Sequence, residues 1–279
     1  MKKLTSKYLI IAALIFVIAA SICTLAFVLY KSGGSSDVKV NSEEYGDVNE
    51  NVNIKEDIDA KDIVKNTGAG KLLERRLFDN GYSAMLEYDD ENRLVKISYY
   101  SRGNLDYTAT ITYDNNSVTI ENNPSVFGEP MNYVLSNNII IYSAENSTRT
   151  LIVNDDGYIV TEETRWQTGG SRHIKYEYHG GNLSSDTIVL KYANGEIYHE
   201  STTLYRYDNK KSPFYNDKTP KWLLQTLFSG LGLNNNITYL NNRFAFEYEY
   251  DADGFPTKRT WLLYQGDADD NETTLFFYK

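Results

Sequence analysis

The sequence predicts an all-β protein, in which a meandering antiparallel sheet of hairpins forms a soluble barrel or half-barrel with one short helix. An N-terminal transmembrane helix is predicted to precede this sheet. Three observations carry the prediction: apolar and polar side chains alternate along several segments, short Asp-, Asn- and Gly-rich turns separate these segments, and 24 of the 279 residues are tyrosine. Aromatic residues in a period-two pattern are typical of half-buried strands.

Strand alternation is clearest in three places. In residues 244–251 the aromatic side chains occupy one face, whereas Ala245 and the acidic residues occupy the other. Residues 173–178 repeat this division, and residues 108–113 alternate threonine with Ala, Ile and Tyr. Because side chains two positions apart share one face of a strand, each segment is expected to bury one side and expose the other to water.

Turn signals separate the alternating segments. Most of them begin with a tyrosine and continue through Asp, Asn and Gly; they lie at 88–94, 113–118, 153–158, 178–183, 192–197 and 250–255. Asn-Gly and Asp-Gly pairs tolerate the positive φ that tight hairpin turns require. The uneven spacing of the turns indicates a degenerate hairpin repeat, in which strand, turn and strand follow one another along the chain.

One segment departs from the strand pattern. Thr219 is suited to cap a helix, Pro220 to occupy its first turn and Gly230 to end it. Apolar residues recur between them at helical spacing: Trp222, Leu223, Leu227 and Leu231. We expect a short helix that plugs or covers one end of the sheet. Residues 71–78 fit either a second helix or the first strand.

The N-terminal residues indicate a signal-anchor. Residues 1–7 form a lysine-containing cytoplasmic tail, and residues 8–30 form an uninterrupted apolar run, long enough to cross a hydrocarbon core of about 30 Å. Because positive residues stay on the cytoplasmic side, we expect a single-pass protein of a bacterial cell envelope with its β domain in the periplasm or outside the cell. The alternative is a lipoprotein acylated at Cys23, although Ile22 stands where that signal requires a small residue.

The rest of the chain divides into two parts. Residues 31–66 open with Ser and Gly and then carry more acids than lysines, a composition that predicts a disordered acidic linker. Residues 67–279 hold the strand patterns and form the predicted β domain. With a formal net charge of −10, no nucleic-acid partner is expected, because phosphate binding needs a basic surface.

No catalytic residue, cofactor or metal site is predicted. The single cysteine, Cys23, excludes a disulfide framework and a zinc site built on thiolates. Three histidines lack metal-ligand spacing: His173, His179 and His199. The acidic turns at 251–254 and 267–272 could hold calcium, but they lack the spacing of an EF-hand loop. The favoured interpretation is hairpin turns whose Asp and Asn side chains bond to nearby backbone.

Two tryptophans are the candidate ligand-binding residues. Trp166 follows an acidic strand and precedes Gln-Thr-Gly-Gly, and Trp261 lies on the strand after the last turn cluster. Sugar faces stack on exposed aromatic rings, so either tryptophan could serve as a platform for a glycan. The alternative is core packing, which is the commoner fate of Trp in a sheet.

Local motifs suggest a family. The pattern Tyr-x-Tyr-Asp-x-x-Gly-x-x-x-Lys at residues 248–258 resembles the YD/RHS-type hairpin motif. The order of residues 207–214, 234–236 and this last hairpin is similar to the DUF4595 group of exported proteins from Bacteroidetes-type bacteria. The resemblance covers about residues 70–279 and implies a porin-like fold with no assigned activity. Members of that group usually carry a lipoprotein signal, where this chain has the longer apolar run.

These observations favour a membrane-anchored exported module that binds a glycan or an envelope protein without catalysis. One alternative is a glycoside-acting hydrolase with carboxylates in a barrel mouth, for which Glu247 and Glu249 are two of many strand acids. A second alternative is a purely structural surface module. A cleft with two carboxylates would favour the hydrolase, and an exposed aromatic row would favour glycan binding.

Overall fold

The computed structural model describes residues 70–279 with three gaps, at 125–129, 242–243 and 264–271. The predictions for the tail (1–7), the anchor (8–30) and the linker (31–66) lie outside these residues, as does lipidation at Cys23. Within the part of the chain that is described, no helix is long and apolar enough to span a membrane.

The described residues form a closed barrel of sixteen antiparallel strands. Each strand pairs with its neighbours in the sequence, and β16 pairs with β1. The strands are β1 Leu73–Phe78, β2 Tyr82–Tyr88, β3 Leu94–Ser101, β4 Asn104–Tyr113, β5 Ser117–Asn123, β6 Met131–Ser136, β7 Ile139–Ala144, β8 Ser147–Val153, β9 Ile159–Trp166, β10 Ser171–His179, β11 Asn182–Lys191, β12 Ile197–Tyr207, β13 Ile237–Leu240, β14 Phe244–Tyr250, β15 Pro256–Leu263 and β16 Glu272–Tyr278. The all-β meander is confirmed, the sheet closes fully, and residues 71–78 contribute the first strand rather than a helix.

The connections between strands define two ends of the barrel. The closed end carries the turns at 89–93, 114–116, 154–158 and 251–255 and the plug segment, residues 208–236 between β12 and β13. The open end carries the turns at 79–81, 102–103, 167–170 and 192–196. The alternation of the strands places every second connection at the same end, so the plug segment and the Asp-containing turns lie together.

Two turns at the closed end share one hydrogen-bond pattern. The Asp251 carboxylate accepts from the backbone N–H groups of Asp253 and Phe255, and Gly254 takes a φ of +81°. Asp89 bonds in the same way to the backbone two and four residues later. The Asp-x-x-Gly signal therefore marks turns that the Asp side chain itself holds closed.

Tyrosines at the ends of strands explain the high tyrosine content. Five of them donate the phenol hydroxyl to the backbone carbonyl at the start of the preceding strand, at 2.7–3.0 Å: Tyr88 to Leu73, Tyr113 to Leu94, Tyr178 to Ile159, Tyr248 to Ile237 and Tyr278 to Pro256. These carbonyls lie at the closed end, beside the Asp-containing turns. Each tyrosine thus ties the end of one strand to the beginning of its neighbour.

The plug segment contains the predicted short helix, α1 (Lys221–Leu227). Its Trp222, Leu223 and Leu224 are buried among inward strand residues. Pro220 occupies the cap position, and the Thr219 hydroxyl instead accepts from the backbone N–H of Leu94 at 2.7 Å. The prediction that Thr219 caps the helix is therefore wrong. Its hydroxyl group instead accepts a hydrogen bond from a strand N–H at the closed end that has no other partner among the described residues.

Inward side chains near the closed end form one apolar cluster with the plug segment. It includes Leu86, Ile97, Ile111, Ile120, Ile140, Leu151 and Ile159 from the strands and Phe214, Trp222, Leu223, Leu224, Phe228 and Leu231 from the plug segment. Burial of this much apolar surface stabilises the barrel at this end. The plug segment therefore fills and closes one half of the barrel.

The outer face of the barrel carries cross-strand and same-strand ion pairs. Lys96 pairs with Glu87 at 2.7 Å, Lys258 pairs with Glu249 at 3.0 Å, and Arg165 pairs with Glu163 at 2.9 Å. A smaller apolar patch on β6–β8 is about two-fifths exposed and consists of Val134, Ile139, Ile141 and Ile152. Alternation has thus placed these ion pairs outside and the apolar cluster inside, as the sequence predicts, whereas the patch on β6–β8 is an apolar exception on the outer face.

Candidate functional site

The interior of the barrel changes character between its two ends. Beyond the apolar cluster, the inward positions of the strands carry arginine, tyrosine, Glu162, Asp186 and Trp261. We call this polar half, between α1 and the open end, the lumen. Several of its side chains remain accessible to water, among them Thr164, His199 and Glu272. Their accessibility shows that water reaches this half of the barrel interior.

One wall of the lumen holds a buried carboxylate between two arginines. Glu162 on β9 is 1% exposed; it accepts from Arg149 on β8 at 2.8 Å, from Arg172 on β10, and from the Tyr176 hydroxyl at 3.2 Å. Burial alone would raise the pKa of Glu162, but the two guanidinium groups hold that pKa below its usual range. The cluster joins three adjacent strands, although it carries one more positive than negative charge and the Nε atoms of both arginines are buried without a hydrogen-bond partner among the described residues.

A second carboxylate lies beside this cluster with fewer partners. Asp186 on β11 stands opposite Tyr176 and is 7% exposed. Its Oδ2 accepts from the Tyr205 hydroxyl, and its Oδ1 is buried with no hydrogen-bond partner. Burial raises the pKa of Asp186 above its usual range, despite hydrogen bonds from Tyr205 and Thr203. Burial of the Asp186 side chain in the lumen thus disfavours its charged form.

A different pair of arginines lies on the opposite part of the wall, next to the plug segment. Arg76 on β1 lies 4.9 Å from the ring centre of Phe78 and 5.8 Å from that of Phe228. Arg259 on β15 lies 5.2 Å from the ring centre of Phe246. Arg259 also donates to the carbonyl of Gly230 at 3.3 Å. Both guanidinium groups thus meet the floor of the lumen, where the chain leaves α1.

The two predicted glycan platforms occupy different positions at this end. Trp261 faces inward and packs against Phe246 at 6.1 Å and Phe244 at 5.8 Å between ring centres. Its Nε1 is buried and donates to no described residue. Trp166 is 37% exposed at the rim, where it borders an open depression of about 230 Å³ together with Ser147 and Gln167.

The other residues singled out in the sequence lie away from the lumen or have partners. Glu247 and Glu249 alternate with the inward aromatics and face outward, and Glu249 pairs with Lys258. His173 and His179 are exposed, whereas the His199 ring bonds to Ser201 at 3.1 Å. The hydrolase hypothesis therefore loses Glu247 and Glu249 as mouth carboxylates, because alternation puts them on the outside.

The acidic turn at 251–254 already holds a positive charge. The Lys71 ammonium group lies 2.7 Å from Asp251 and 2.6 Å from Asp253. A calcium ion in this turn would have to displace Lys71 and compete with the backbone donors that Asp251 accepts from. The second acidic segment, residues 267–272, lies outside the described residues except for Glu272.

No family model matches the chain, and no curated protein matches it. Among solved structures, the chain is similar to a porin-like protein from Bacteroides uniformis, with 13% sequence identity and a TM-score of 0.48. The match covers 76% of this chain and 98% of that chain. The YD/RHS-type and DUF4595 resemblances stay predictions.

The sequence did not reveal the charged residues of the lumen. Arg76, Arg149, Glu162, Arg172 and Asp186 carry no motif, and on a strand a charged residue is expected to face water. One signal was available. Glu162 and Arg172 occupy positions that point to the same face of their strands as apolar residues such as Ile174. A charge on the apolar face of a strand marks either a buried pair or a site.

Proposed function

We propose that this chain is an envelope-tethered binding protein, without catalytic activity, that holds a glycan at the open end of its barrel. The main observation in support of the proposal is the lumen. The plug segment closes it at one end, and polar and aromatic side chains line it toward the other. Ligand sites are typically concave, with aromatic walls and a few placed polar groups. The tether is the segment predicted at residues 8–66, in keeping with the resemblance to exported proteins of the DUF4595 group.

Two features support a glycan over a protein partner. The indole ring of Trp166 is partly exposed at the rim, and the indole N–H of Trp261 has no partner inside the lumen. A sugar ring presents an apolar face for stacking and hydroxyl oxygens that accept hydrogen bonds. The ion pairs on the outside of the barrel support a water-facing outer surface, with contact to the ligand confined to the interior.

A glycan array probed with the full-length chain in a non-ionic detergent tests the proposal. We expect binding to a restricted set of glycans, weakened by about tenfold or more in Trp166→Ala, because tryptophan anchors carry much of the free energy of binding. Trp261→Phe keeps the packing against Phe246 but removes the indole donor, and it should also weaken binding. Tyr215→Ala is the matched control, since Tyr215 is 54% exposed in the plug segment at the closed end.

The outcome that sinks the proposal is specific. An array on which the full-length chain retains no glycan, or on which Trp166→Ala and Tyr215→Ala lose equal signal, would remove the glycan site. The purely structural role would then be favoured.

Asp186 supports a second candidate, a glycoside-acting hydrolase. Its raised pKa and unpartnered Oδ1 are properties of a general acid. Incubation of any glycan that binds, followed by a reducing-end assay, separates the two functions. Turnover that disappears in Asp186→Asn, with binding retained, would establish the hydrolase. An absence of turnover with every bound glycan would favour the binding role.

A further inference from the structure

We propose that Arg76 and Arg259 form a binding site for an oxyanion, a carboxylate or phosphate group of the ligand, on the floor of the lumen. This inference deepens the proposed function, because it names the chemical class of the ligand that the same lumen would take. It rests on the position of the two arginines, on the buried and unpartnered Nε of Arg76, and on the absence of an ion pair to either arginine among the described residues.

The positions of the two arginines bring them to one place. Arg76 stands opposite Phe276 and Arg259 stands opposite Thr274, so the two arginines lie on either side of β16. Neighbouring strands are about 4.8 Å apart, which places the two backbones about 10 Å from each other. Both side chains face inward and both reach the same part of the plug segment, at Phe228 and Gly230. A single oxyanion between them could accept from both.

The hydrogen-bond donors of the two guanidinium groups are only partly used, since Arg259 donates to the Tyr248 hydroxyl and to the backbone. Aromatic rings contact both groups, and stacking on the flat face of a guanidinium leaves its N–H donors free at the edge. Arg259 donates to Gly230, whereas the Nε of Arg76 is buried without any hydrogen-bond partner among the described residues. Buried donors without acceptors destabilise a fold. An oxyanion is the acceptor that matches this planar array of donors.

The charge on this part of the floor is only partly compensated within the described residues, because the Glu272 carboxylate interacts electrostatically with Arg259. Neither Arg76 nor Arg259 forms an ion pair there, whereas Arg149 and Arg172 share Glu162. Burial, together with repulsion from Arg259, lowers the pKa of Arg76 to about 10, so that Arg76 is still charged at neutral pH. Two cations that share at most one nearby carboxylate attract an anion more strongly in a partly dry lumen than they would in water.

The chain supplies a matched control for Arg76. Arg75 is its neighbour on β1, carries the same charge and lies 4.1 Å from the ring centre of Phe277. Arg75 faces outward and is exposed, because successive side chains point to opposite faces of a strand. Substitution of Arg75 and of Arg76 by methionine therefore makes the same change in charge and size on the two sides of one strand.

Isothermal titration calorimetry of the full-length chain in a non-ionic detergent at low salt tests the site. The probes are inorganic phosphate, glucuronate and, as the uncharged control, glucose. We expect phosphate and glucuronate to bind at one site per chain. Arg76→Met and Arg259→Met should each weaken binding by about tenfold or more, since each removes charge-assisted hydrogen bonds. Arg75→Met should bind as the unaltered chain does, and Arg76→Lys should lie between the two.

Thermal unfolding keeps the test independent of folding defects. Phosphate should raise the Tm of the unaltered chain and of Arg75→Met, because a ligand that binds only the folded state stabilises it. The Tm of Arg76→Met should not respond to phosphate. Its Tm without phosphate should not fall below that of Arg75→Met, which shows that the variant is folded.

The outcomes are distinct. No binding of phosphate or glucuronate, equal loss in Arg75→Met and Arg76→Met, or undiminished binding in both Arg76→Met and Arg259→Met would overturn the anion site. Tighter binding of glucuronate than of phosphate supports the site with an acidic sugar as its source, and the reverse order supports it with the free ion. A blank glycan array would remove the proposed glycan function alone, since phosphate binding is measured without a sugar.

Discussion

Single tyrosine hydroxyls hold the strand ends of this barrel in place. Tyr278 donates to the carbonyl of Pro256 at 2.8 Å, and the same contact recurs at four other hairpins. Tyr278→Phe should lower the free energy of unfolding by about 1 kcal/mol, because one buried hydrogen bond is lost. Urea denaturation measures the change, with Tyr192→Phe as the control on a ring that is 56% exposed. Equal stability of the two variants would argue against the tyrosine tie.

Asp217 in the plug segment gives the barrel a pH dependence. Burial raises the pKa of Asp217 to about 6, in spite of hydrogen bonds from the backbone and the side chain of Thr219. A folded-state pKa above the unfolded value means that the protonated form favours folding, so this contribution is present at low pH and is lost as the pH rises through about 6.

Asp217→Asn should remove that pH dependence. A pKa unit corresponds to about 1.4 kcal/mol, and the partial exposure of Asp217 reduces the effect, so we expect the variant to be about 1–2 kcal/mol more stable at pH 8. The backbone N–H of Thr219 keeps its acceptor, because asparagine retains the oxygen that accepts at 2.8 Å. Urea denaturation at pH 5 and pH 8 checks this; a stability difference that is the same at both pH values would contradict it.

The strand segments were predictable because their patterns are local. Residues 244–251 alternate aromatic and acidic side chains, and the structure places them in β14 with the aromatics inward. The turn at 250–255 was equally clear, since Asp251 bonds to its own turn. Thr219 was misassigned as a cap because its partner, Leu94, is 125 residues distant in the sequence, and no local pattern reports such a contact.

The plug segment is the element that closes the barrel. Leu223 is 0% exposed within the apolar cluster, and Gln225 accepts from the backbone N–H of Ile159 at 2.8 Å. Leu223→Ala should lower the free energy of unfolding by about 3 kcal/mol, because it leaves a cavity in a filled core. Tyr215→Ala, an exposed site in the same segment, should change it by less than about 1 kcal/mol. Urea denaturation measures both changes. Equal losses in the free energy of unfolding for the two variants would mean that Leu223 is not packed in a filled core.

The three strands β8, β9 and β10 are joined through Glu162. Glu162→Gln leaves Arg149 and Arg172 without their shared carboxylate, so we expect a loss of about 3 kcal/mol, as for other buried pairs that lose one partner. Glu163→Gln is the control, since Glu163 pairs with Arg165 on the outer face, where ion pairs contribute less than about 1 kcal/mol. Urea denaturation at low salt compares them. A loss in Glu162→Gln no larger than that in Glu163→Gln would show that the cluster is not structural.

At the scale of the whole molecule, the sequence predicted a meander but not which charges would face inward. Arg75 and Arg76 are adjacent and chemically identical, and residues 71–78 also fitted a helix. Arg75 faces outward and Arg76 faces inward because of the pairing of β1 with β16, which includes a register shift between Leu73 and Arg75. Closure of the barrel, a contact between the two ends of the described chain, therefore decides the chemistry of the lumen.

The same closure separates the roles of the two ends. Turn chemistry, tyrosine ties and the plug segment lie at the closed end, and they account for most of the stability that we assign. The unpartnered buried N–H groups of Arg76, Arg149, Arg172 and Trp261 lie in the lumen, beyond the apolar cluster, where they form no hydrogen bond within the described chain. A fold that stabilises one end and leaves buried donors at the other is suited to bind a ligand there.

The most direct test of a ligand-binding lumen is the fluorescence of Trp261. With Trp166→Phe and Trp222→Phe, Trp261 is the remaining tryptophan of the three in the chain. We expect glucuronate to shift the emission of Trp261 along a saturating curve. Arg76→Met should abolish the shift, and Arg75→Met should preserve it. Emission that stays constant at glucuronate concentrations that saturate the calorimetric signal would place the ligand outside the lumen and contradict the account.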